Sequence, residues 1–254
     1  MQFDLLKTED IDKNGLYLDF FQVYNWGVFD SKVYTMQCGK KATLLTGLNG
    51  SGKTTLVDAF LSLIVPPRQR FYNQSAGAES KRERDEISYV LGTYGNKREE
   101  EFTSGTAKNL RTKENCISIL LGCFVLGDDQ RPITLMQVRF FSGGGALQKI
   151  YSITHTRLSI EEIQKAGIDF TPQSNWKKRM TEVFGTKFYA DNFAPYAEAF
   201  SQLSGLRSDR ALYLFSQTVG LKGVGNLNDF IRTYMFEGRD TERDFDDLVK
   251  HYGE

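Results

Sequence analysis

Residues 47–54 have the types and the spacing of a phosphate-binding loop. Their sequence, GLNGSGKT, matches G-x-x-x-x-G-K-[ST] and lies between a short apolar run and an amphipathic segment, the context that such a loop requires. Glycines let the backbone wrap around a phosphate, and the N–H groups from Gly50 to Thr55 point inward at the start of a helix. The pattern predicts binding of the β- and γ-phosphates of a nucleotide.

Individual roles in this loop follow from the side chains. Lys53 places a positive charge on the β- and γ-phosphate oxygens, and the hydroxyl of Thr54 is placed to ligate Mg²⁺. We expect Lys53 to be catalytic, so that its replacement by alanine abolishes nucleotide binding or turnover. The residues expected to bind the nucleotide are Asn49, Gly50, Ser51, Gly52, Lys53, Thr54 and Thr55.

The choice between GTP and ATP depends on whether the sequence contains the motifs that recognise guanine. A GTP-binding protein of this type needs Asn-Lys-x-Asp after the loop and Asp-x-x-Gly between the two. Residues 96–99, NKRE, fit only half of the first pattern, and residues 12–15, DKNG, fit the second but precede the loop. Both matches are interpreted as coincidence, and ATP is the favoured nucleotide.

Apolar runs bounded by turn residues predict the strands and helices that position the loop. We expect strands at 16–24, 32–36 and 42–46, the third being apolar and central, and then a helix at 53–64 that Pro66-Pro67 ends. An antiparallel meander of three strands is predicted next, at 117–125, 133–141 and 147–154. A series of helices should follow it, beginning at 159, where Ser159 and Glu162 form a capping box, and continuing at 176–184, 194–204 and 209–219.

The stretch 68–115 is rich in Gly, Ser, Asn and charge, and two interpretations of it stay open. One is a solvated loop region. The other is a surface beside the nucleotide that contacts phosphates of a nucleic-acid backbone. The second rests on basic residues interrupted by Glu79 and Glu83, namely Arg68, Arg70, Lys81, Arg82 and Arg84.

Two partial motifs are interpreted as turns. Residues 124–129, FVLGDD, resemble the apolar strand that ends in an acidic Mg²⁺-orienting residue, but the following Gln-Arg-Pro indicates a hairpin. Residues 142–145, SGGG, resemble the signature of ABC-type ATPases, but they join two strands instead of opening a helix. The chain therefore carries half of an ATP site, and the other half is expected in another segment or polypeptide.

Composition limits the classes of partner. Of 254 residues, 32 are Lys or Arg and 32 are Asp or Glu, so any contact with DNA must be a local patch. There is no apolar run of about 18 residues and no signal peptide, which predicts a cytoplasmic protein without a membrane partner. Cys38, Cys116 and Cys123 lack Cys-x-x-Cys spacing, which indicates reduced thiols and no zinc site.

The sequence resembles the N-terminal head segment of SMC-like ATPases. The loop 47–55, GLNGSGKTT, is similar to their G-x-N-G-S-G-K-[ST] loop, and residues 23–30, VYNWGVFD, are similar to the Asn-Trp-Gly-x-Phe stretch of the MukB/MksB/JetC branch. The segments 206–210, 214–219 and 225–232 resemble the close of that head. Within the branch, the resemblance leans toward the JetC family of Wadjet plasmid-defence systems.

The resemblance implies an α/β P-loop head half with a mixed sheet, an antiparallel meander and a helical C-terminal part. Residues 1–240 would form this half and residues 241–254 the start of a coiled coil, although a docking helix fits that tail equally well. Within the half, the P-loop, a variable loop region, the meander and the helical part are expected at 47–55, 68–115, 117–154 and 159–236.

The resemblance also implies partners. The C-terminal half of the same protein, joined through a long coiled coil, would supply the signature and Walker B motifs, and a second head would sandwich two ATP molecules in a homodimer. Further partners would be DNA, a kleisin, its winged-helix subunits and, in Wadjet, a toprim-type nuclease. Chromosome condensation, SbcC-like repair, a purely structural ATP clamp and a stand-alone P-loop nucleotide enzyme such as a kinase are the alternative functions.

Such heads also use a glutamine that touches Mg²⁺ and the attacking water, and two positions compete for this role. Gln217 fits the branch pattern, Gln202 fits the order in the wider family, and a surface glutamine with neither role is the third possibility. Trp26 lies about 20 residues before the loop, where ABC-type ATPases often stack an aromatic ring on adenine. A core tryptophan is the alternative that we favour.

Overall fold

A computed structural model gives the structure, and it describes residues 15–38, 42–67, 70, 86–94, 108–114, 116–127, 131–143, 145–190, 192–205, 212 and 216. The described strands are β1 (Leu16–Tyr24), β2 (Tyr34–Gln37), β3 (Thr93–Tyr94), β4 (Lys108–Asn109), β5 (Ile117–Leu126), β6 (Arg131–Phe141), β7 (Leu147–Thr154) and β8 (Lys187–Ala190). Six of them form one sheet in the order β2-β1-β5-β6-β7-β8, and β3 pairs with β4 separately.

The described helices are α1 (Lys53–Ile64), α2 (Glu86–Leu91), α3 (Ile160–Lys165), α4 (Trp176–Phe184) and α5 (Phe193–Ser204). The bounds predicted for α1 and α4 are confirmed. The predicted capping box is also present, with the Ser159 hydroxyl accepting from the Glu162 N–H and the Glu162 carboxylate accepting from the Ser159 N–H. Local capping and apolar spacing are thus sufficient to define these helices.

The α/β fold class and the antiparallel meander are confirmed. Strands β5, β6 and β7 pair in sequence, with Leu121 opposite Met136 and Val138 opposite Ile150. Every ladder between described strands is antiparallel, so the parallel pairing that a mixed sheet requires does not occur among them. Short connections impose this order on the β5–β6 and β6–β7 hairpins, whereas β5 pairs with β1 and β8 pairs with β7 across much longer stretches of chain.

The sheet is covered on both faces, as the alternation of side chains along β5 shows. Leu120 and Phe124 belong to an apolar core that includes residues of α1, α2 and α5. Leu121 and Cys123 belong to a second core, which includes residues of α3 and α4. The period of two along a strand thus sends alternate side chains into two different cores.

Three expectations about secondary structure need correction. Residues 42–46 are not a strand but an exposed irregular segment. The region 68–115 is not only a loop, because α2, β3 and β4 lie in it. The part beginning at 159 is not wholly helical, because β8 follows α4 and pairs with β7. In each case the outcome depends on a distant partner, or on the lack of one, which local spacing does not report.

Several sequence-based expectations lie outside the described residues. They include Gln217, the tail 241–254 and, apart from two single residues, the predicted helical segments between 206 and 236. In the described part of the chain the three cysteines are free, with Cys116 and Cys123 buried. None of the helices described is long and apolar enough to cross a membrane.

Candidate nucleotide-binding site

The loop before α1 is an exposed backbone cradle. Residues 42–51 are all exposed, and the Ser51 N–H donates to the Leu48 carbonyl at 3.2 Å, which closes a tight turn. Gly50 and Gly52 have φ angles of 81° and 93°, a left-handed region that side chains disfavour. Glycine at these two positions is therefore a requirement of the loop conformation.

Lys53 is folded back over its own loop. Its Nζ donates to the Gly47 carbonyl at 2.7 Å and to the Leu48 carbonyl at 2.8 Å. These two bonds hold the ammonium group at the mouth of the loop. An ammonium has three donors, so one stays available for an oxygen of an incoming anion.

The backbone donors in the first turn of α1 have no partner among the residues that the structure describes. Its N-cap is Gly52, which has no side chain to cap the helix, and the first turn contains no acidic residue. The first helical bond runs from the Leu56 N–H to the Gly52 carbonyl, so the N–H groups of Lys53, Thr54 and Thr55 precede the helical hydrogen bonds. The N–H groups at the start of a helix and the positive end of its dipole favour a phosphate at this place.

The side chains of the two threonines point to different environments. Thr54 is exposed at the mouth of α1, so its hydroxyl is accessible to a cation that is bound with a phosphate. Thr55 is buried, and a Cβ on Gly27 would lie 2.4 Å from its Cγ2. Only the backbone N–H of Thr55 is therefore suited to contact a nucleotide.

A turn at residues 25–31, which we call the Trp26 turn, packs against the end of the loop and the first turn of α1. The Trp26 N–H donates to the Phe29 carbonyl at 2.9 Å, and the Phe29 N–H donates back at 3.0 Å. A Cβ on Gly52 would lie 2.9 Å from Val28 Cγ2 and 3.0 Å from Phe29 Cζ. The Trp26 turn is thus packed directly against both Gly52 and Thr55.

The interpretation of Trp26 as a core residue is confirmed, and the adenine-stacking alternative is wrong. The side chain is fully buried, with 0% exposure. Its ring is stacked on Tyr89 at 5.0 Å with an interplanar angle of 4°, and the Arg139 guanidinium lies 5.0 Å from the ring centroid. The indole therefore packs against an aromatic ring and a guanidinium group inside the protein.

Helix α2, which sequence analysis missed, braces α1. The Tyr89 hydroxyl donates a short hydrogen bond to the buried carboxylate of Asp58, and the Tyr89 carbonyl accepts from the Gly27 N–H at 2.7 Å. One tyrosine thus connects α1 to the Trp26 turn. The apolar run at 87–91 inside a polar stretch was the available signal for this helix.

Glu86, at the start of α2, is the centre of a nearly buried ion cluster. Its carboxylate accepts from Arg139 Nε at 2.6 Å, pairs with Lys149 and lies 3.6 Å from Arg70. Burial raises the pKa of Glu86, but the charges of Arg139, Arg70 and Lys149 outweigh it and lower that pKa to about 2. Arg70 is 1% exposed, so this member of the basic set is a core residue rather than a phosphate contact.

The remaining candidates are placed as follows. Gln202 is exposed on α5, and its side-chain amide donates to Glu198 at 3.4 Å. Between β6 and β7 the Gly145 N–H donates to the Ser142 carbonyl at 2.7 Å, and Gly127 directly follows β5, which pairs antiparallel with β6. The strand pairing is that of the two predicted hairpins, while Asp128, Asp129 and Gly144 lie outside the described residues. No group of three or more metal-ligating side chains occurs among the residues that the structure describes.

Two comparisons with known proteins give a match. A family model described as the P-loop containing region of AAA domain matches residues 18–79. This part of the chain, about a quarter of it, is thus similar to a P-loop region. A solved structure from work on structural biochemistry of ATP-driven dimerization and DNA stimulated activation of SMC ATPases aligns at 16% identity, covering 66% of this chain and 92% of that chain, with a TM-score of 0.31. No curated protein matches this chain.

Proposed function

We propose that this chain is the Mg·ATP-binding half of an SMC-like ATPase head of the MukB/MksB/JetC branch. The observation that supports this proposal most directly is that the loop at 47–55 follows an apolar segment, residues 42–48, whose residues are all exposed. Leu44 and Leu48 are each 85% exposed, and residues 42–48 form no strand with any part of the chain that the structure describes. An apolar segment that leads into a P-loop normally lies inside a sheet, so we infer that another segment supplies its partner strands.

The cradle supports binding of ATP with Mg²⁺. In this proposal Lys53 and the N–H groups from Gly50 to Thr55 hold the phosphates, Asn49 and Ser51 line the loop, and Thr54 is the Mg²⁺ ligand from this chain. Bound Mg²⁺ would neutralise the charge that develops on the phosphate oxygens. The chain itself contributes binding and orientation of the triphosphate.

Hydrolysis also requires a carboxylate that activates water, and the nearest acidic residue does not serve. Asp58 is the acidic residue closest to Lys53 along the chain, but it is buried and accepts the Tyr89 hydroxyl. We therefore propose that the base and the signature loop come from a C-terminal half and from a second head. Gln217, or alternatively Gln202, would orient the water and touch Mg²⁺.

The wider proposal is a DNA motor. ATP-dependent closure of two heads would drive DNA loop extrusion or translocation, with a kleisin and winged-helix subunits as partners. In the Wadjet version, a toprim-type nuclease would cut the plasmid DNA that the motor has engaged. Condensation of chromosomes or repair would use the same motor, so these alternatives differ in partners rather than in this site.

The deciding experiment is steady-state ATP hydrolysis by this chain alone and after co-expression with its C-terminal half. We expect turnover only in the combination, with loss of at least about a hundredfold in Lys53→Ala. Lys178→Ala is the matched control, because Lys178 is 77% exposed on α4. Robust turnover by the chain alone would contradict the half-head proposal and favour a stand-alone nucleotide enzyme.

A further inference from the structure

Arg111 forms an unusually complete set of bonds beneath the nucleotide loop, and nothing in the sequence motifs singled it out. The residue follows β4, and its side chain is 8% exposed. Its guanidinium donates from Nε to the Val90 carbonyl at 2.8 Å and from Nη1 to the Asp30 carboxylate at 2.8 Å. The planar fork of arginine is therefore used on two sides at once.

The third side of the guanidinium reaches the Trp26 turn and α2 together. Arg111 Nη2 donates to the Gly27 carbonyl at 3.0 Å and to the Tyr89 carbonyl at 3.0 Å. Gly27 is the residue whose backbone lies against Thr55 on α1. One side chain thus ties the Trp26 turn to the helix that braces α1.

The backbone around Arg111 is shaped to admit it. Gly92 has a φ of 64°, and a Cβ there would lie 2.7 Å from Arg111 Nη2 and 2.8 Å from the Gly27 carbonyl oxygen. The Arg111 N–H donates to the Leu91 carbonyl at 3.1 Å, which fixes the start of the side chain. Glycine is required at position 92 because the guanidinium and the Trp26 turn approach it closely.

We propose that Arg111 is a positioning residue for the P-loop: its guanidinium holds the Trp26 turn in the conformation that packs against Gly52 and Thr55. The route from Arg111 to the phosphate donors is short and continuous. Arg111 binds Gly27 and Asp30 of the Trp26 turn. Val28 and Phe29 lie between these two residues, and their side chains are the ones that a Cβ on Gly52 would meet. This inference rests on the proposed function, because the effect is on Mg·ATP binding.

The physical reason is that the loop has little support of its own. The P-loop is exposed along residues 47–51, whereas Thr55, in the first turn of α1, is buried against Gly27 of the Trp26 turn. A phosphate cradle is effective when its donors are fixed before the ligand arrives. Loss of the Arg111 bonds would free the Trp26 turn and allow Gly52 and Thr55 to shift with it.

The test measures Mg·ATP affinity by isothermal titration calorimetry on the 254-residue chain, together with Tm. We expect Arg111→Ala to weaken Mg·ATP binding on the order of tenfold. Arg179→Ala is the matched control, because Arg179 also holds backbone carbonyls, those of Gly167 at 2.6 Å and Ala166 at 3.0 Å, but it lies on α4. We expect this control to change Tm without changing affinity.

Two further variants separate position from charge. Arg111→Lys keeps the positive charge but loses the fork, so we expect it to bind Mg·ATP nearly as weakly as the alanine variant. Gly92→Ala keeps Arg111 and all charges but displaces its guanidinium, so we expect the same weakening. Gly143→Ala, at a glycine with no atom within 4 Å of an added Cβ, is the control for it.

The outcomes are distinct. Full affinity in Arg111→Lys would overturn the proposal in favour of simple charge attraction, and wild-type affinity in both Arg111→Ala and Gly92→Ala would overturn it altogether. If Lys53→Ala binds Mg·ATP as tightly as the wild type, the proposed function itself fails. Weak binding in Arg111→Ala that Arg179→Ala reproduces at equal loss of Tm would show general destabilisation and also contradict the proposal.

Discussion

Two apolar stretches of this chain differ in burial: one is a central strand of the sheet, and the other is exposed. Strand β5 lies between β1 and β6, and its side chains from Ser118 to Val125 are buried. Residues 42–48, which lead into the P-loop, are also rich in apolar residues, yet all of them are exposed. Hydrophobic sequence gives a segment the capacity to be a strand, but a strand exists only where backbone partners are available.

The difference divides the molecule into two regions. We call the buried sheet around β5, with the Glu86 ion cluster and the helices that cover it, the finished region, and we call the exposed residues 42–51 the open region. In the finished region even charges are neutralised inside the protein, as Glu86 with Arg139 shows. In the open region Leu44 and Leu48 are in contact with solvent, directly beside the phosphate cradle. Exposed apolar groups close to a functional loop are typical of a surface that another element covers.

The largest expected effect is a loss of stability, and it compares one substitution in β5 with one in residues 42–48. Leu120→Ala, in the middle of β5, removes a side chain that is 0% exposed, so we expect the free energy of unfolding to fall by about 2–5 kcal/mol. Leu44→Ala should change it by no more than about 0.5 kcal/mol, since Leu44 is already in solvent. Urea denaturation followed by circular dichroism measures both values. Equal losses in the two variants would show that the loop-side segment is buried after all.

The next prediction concerns the ion cluster of the finished region. Glu86→Gln removes the only negative charge among the described members of the cluster, and we expect a loss of about 3 kcal/mol at neutral pH. The pKa of Glu86 is lowered from 4.5 to about 2, so its contribution is full above pH 4.5 and is lost as the pH falls toward 2. Denaturation of wild type and variant between pH 7 and pH 2 should therefore converge at the acid end.

The control for Glu86 is an exposed pair. Glu182 lies 3.8 Å from Lys178 on the surface of α4, and we expect Glu182→Gln to cost no more than about 0.5 kcal/mol at any pH. A Glu86 variant that behaves like this control would mean that the cluster is solvated.

A smaller effect is expected where the two regions meet. Gly27→Ala places a methyl group 2.4 Å from Thr55 Cγ2 at a residue with a φ of 55°, so either the Trp26 turn or the first turn of α1 must move. We expect a loss of about 1–3 kcal/mol in stability, with weaker Mg·ATP binding. Thermal unfolding and calorimetric titration, with Gly143→Ala as control, measure both. Lost stability with unchanged affinity would show that the Trp26 turn does not influence the loop.

Local patterns were sufficient for much of the fold. The bounds of β1, β7, α1 and α4 follow from apolar spacing and turn residues within each segment. Helix α2 and strand β8 were missed because both are short and depend on distant contacts, α2 on Asp58 and β8 on β7. The strand expected at 42–46 failed for the same reason, since its apolar character says nothing about the presence of a partner.

In the candidate site, local patterns reach as far as the loop itself. The spacing of residues 47–54 predicts a phosphate-binding loop because each residue type has a local role, and the roles of its residues stay predictions. Arg111 could not be found this way, since its importance comes from carbonyl groups that are distant in sequence, such as that of Gly27. The turn around Trp26 was noticed, but whether its indole faces solvent or the core depends on Tyr89 and Arg139.

The smallest expected effect concerns Gln202 at the edge of the finished region. Helix α5 buries Phe193, Tyr196 and Phe200, whereas Gln202 is exposed on another face. Its side-chain amide donates to the Glu198 carboxylate at 3.4 Å, which is long for a hydrogen bond. We therefore expect Gln202→Ala to leave stability within about 0.5 kcal/mol and ATP turnover of the combined halves within about twofold. Gln217→Ala, measured in parallel, should reduce turnover more. The reverse order would assign the water-orienting role to Gln202 and would place part of the open site on α5, which would weaken the division between the two regions.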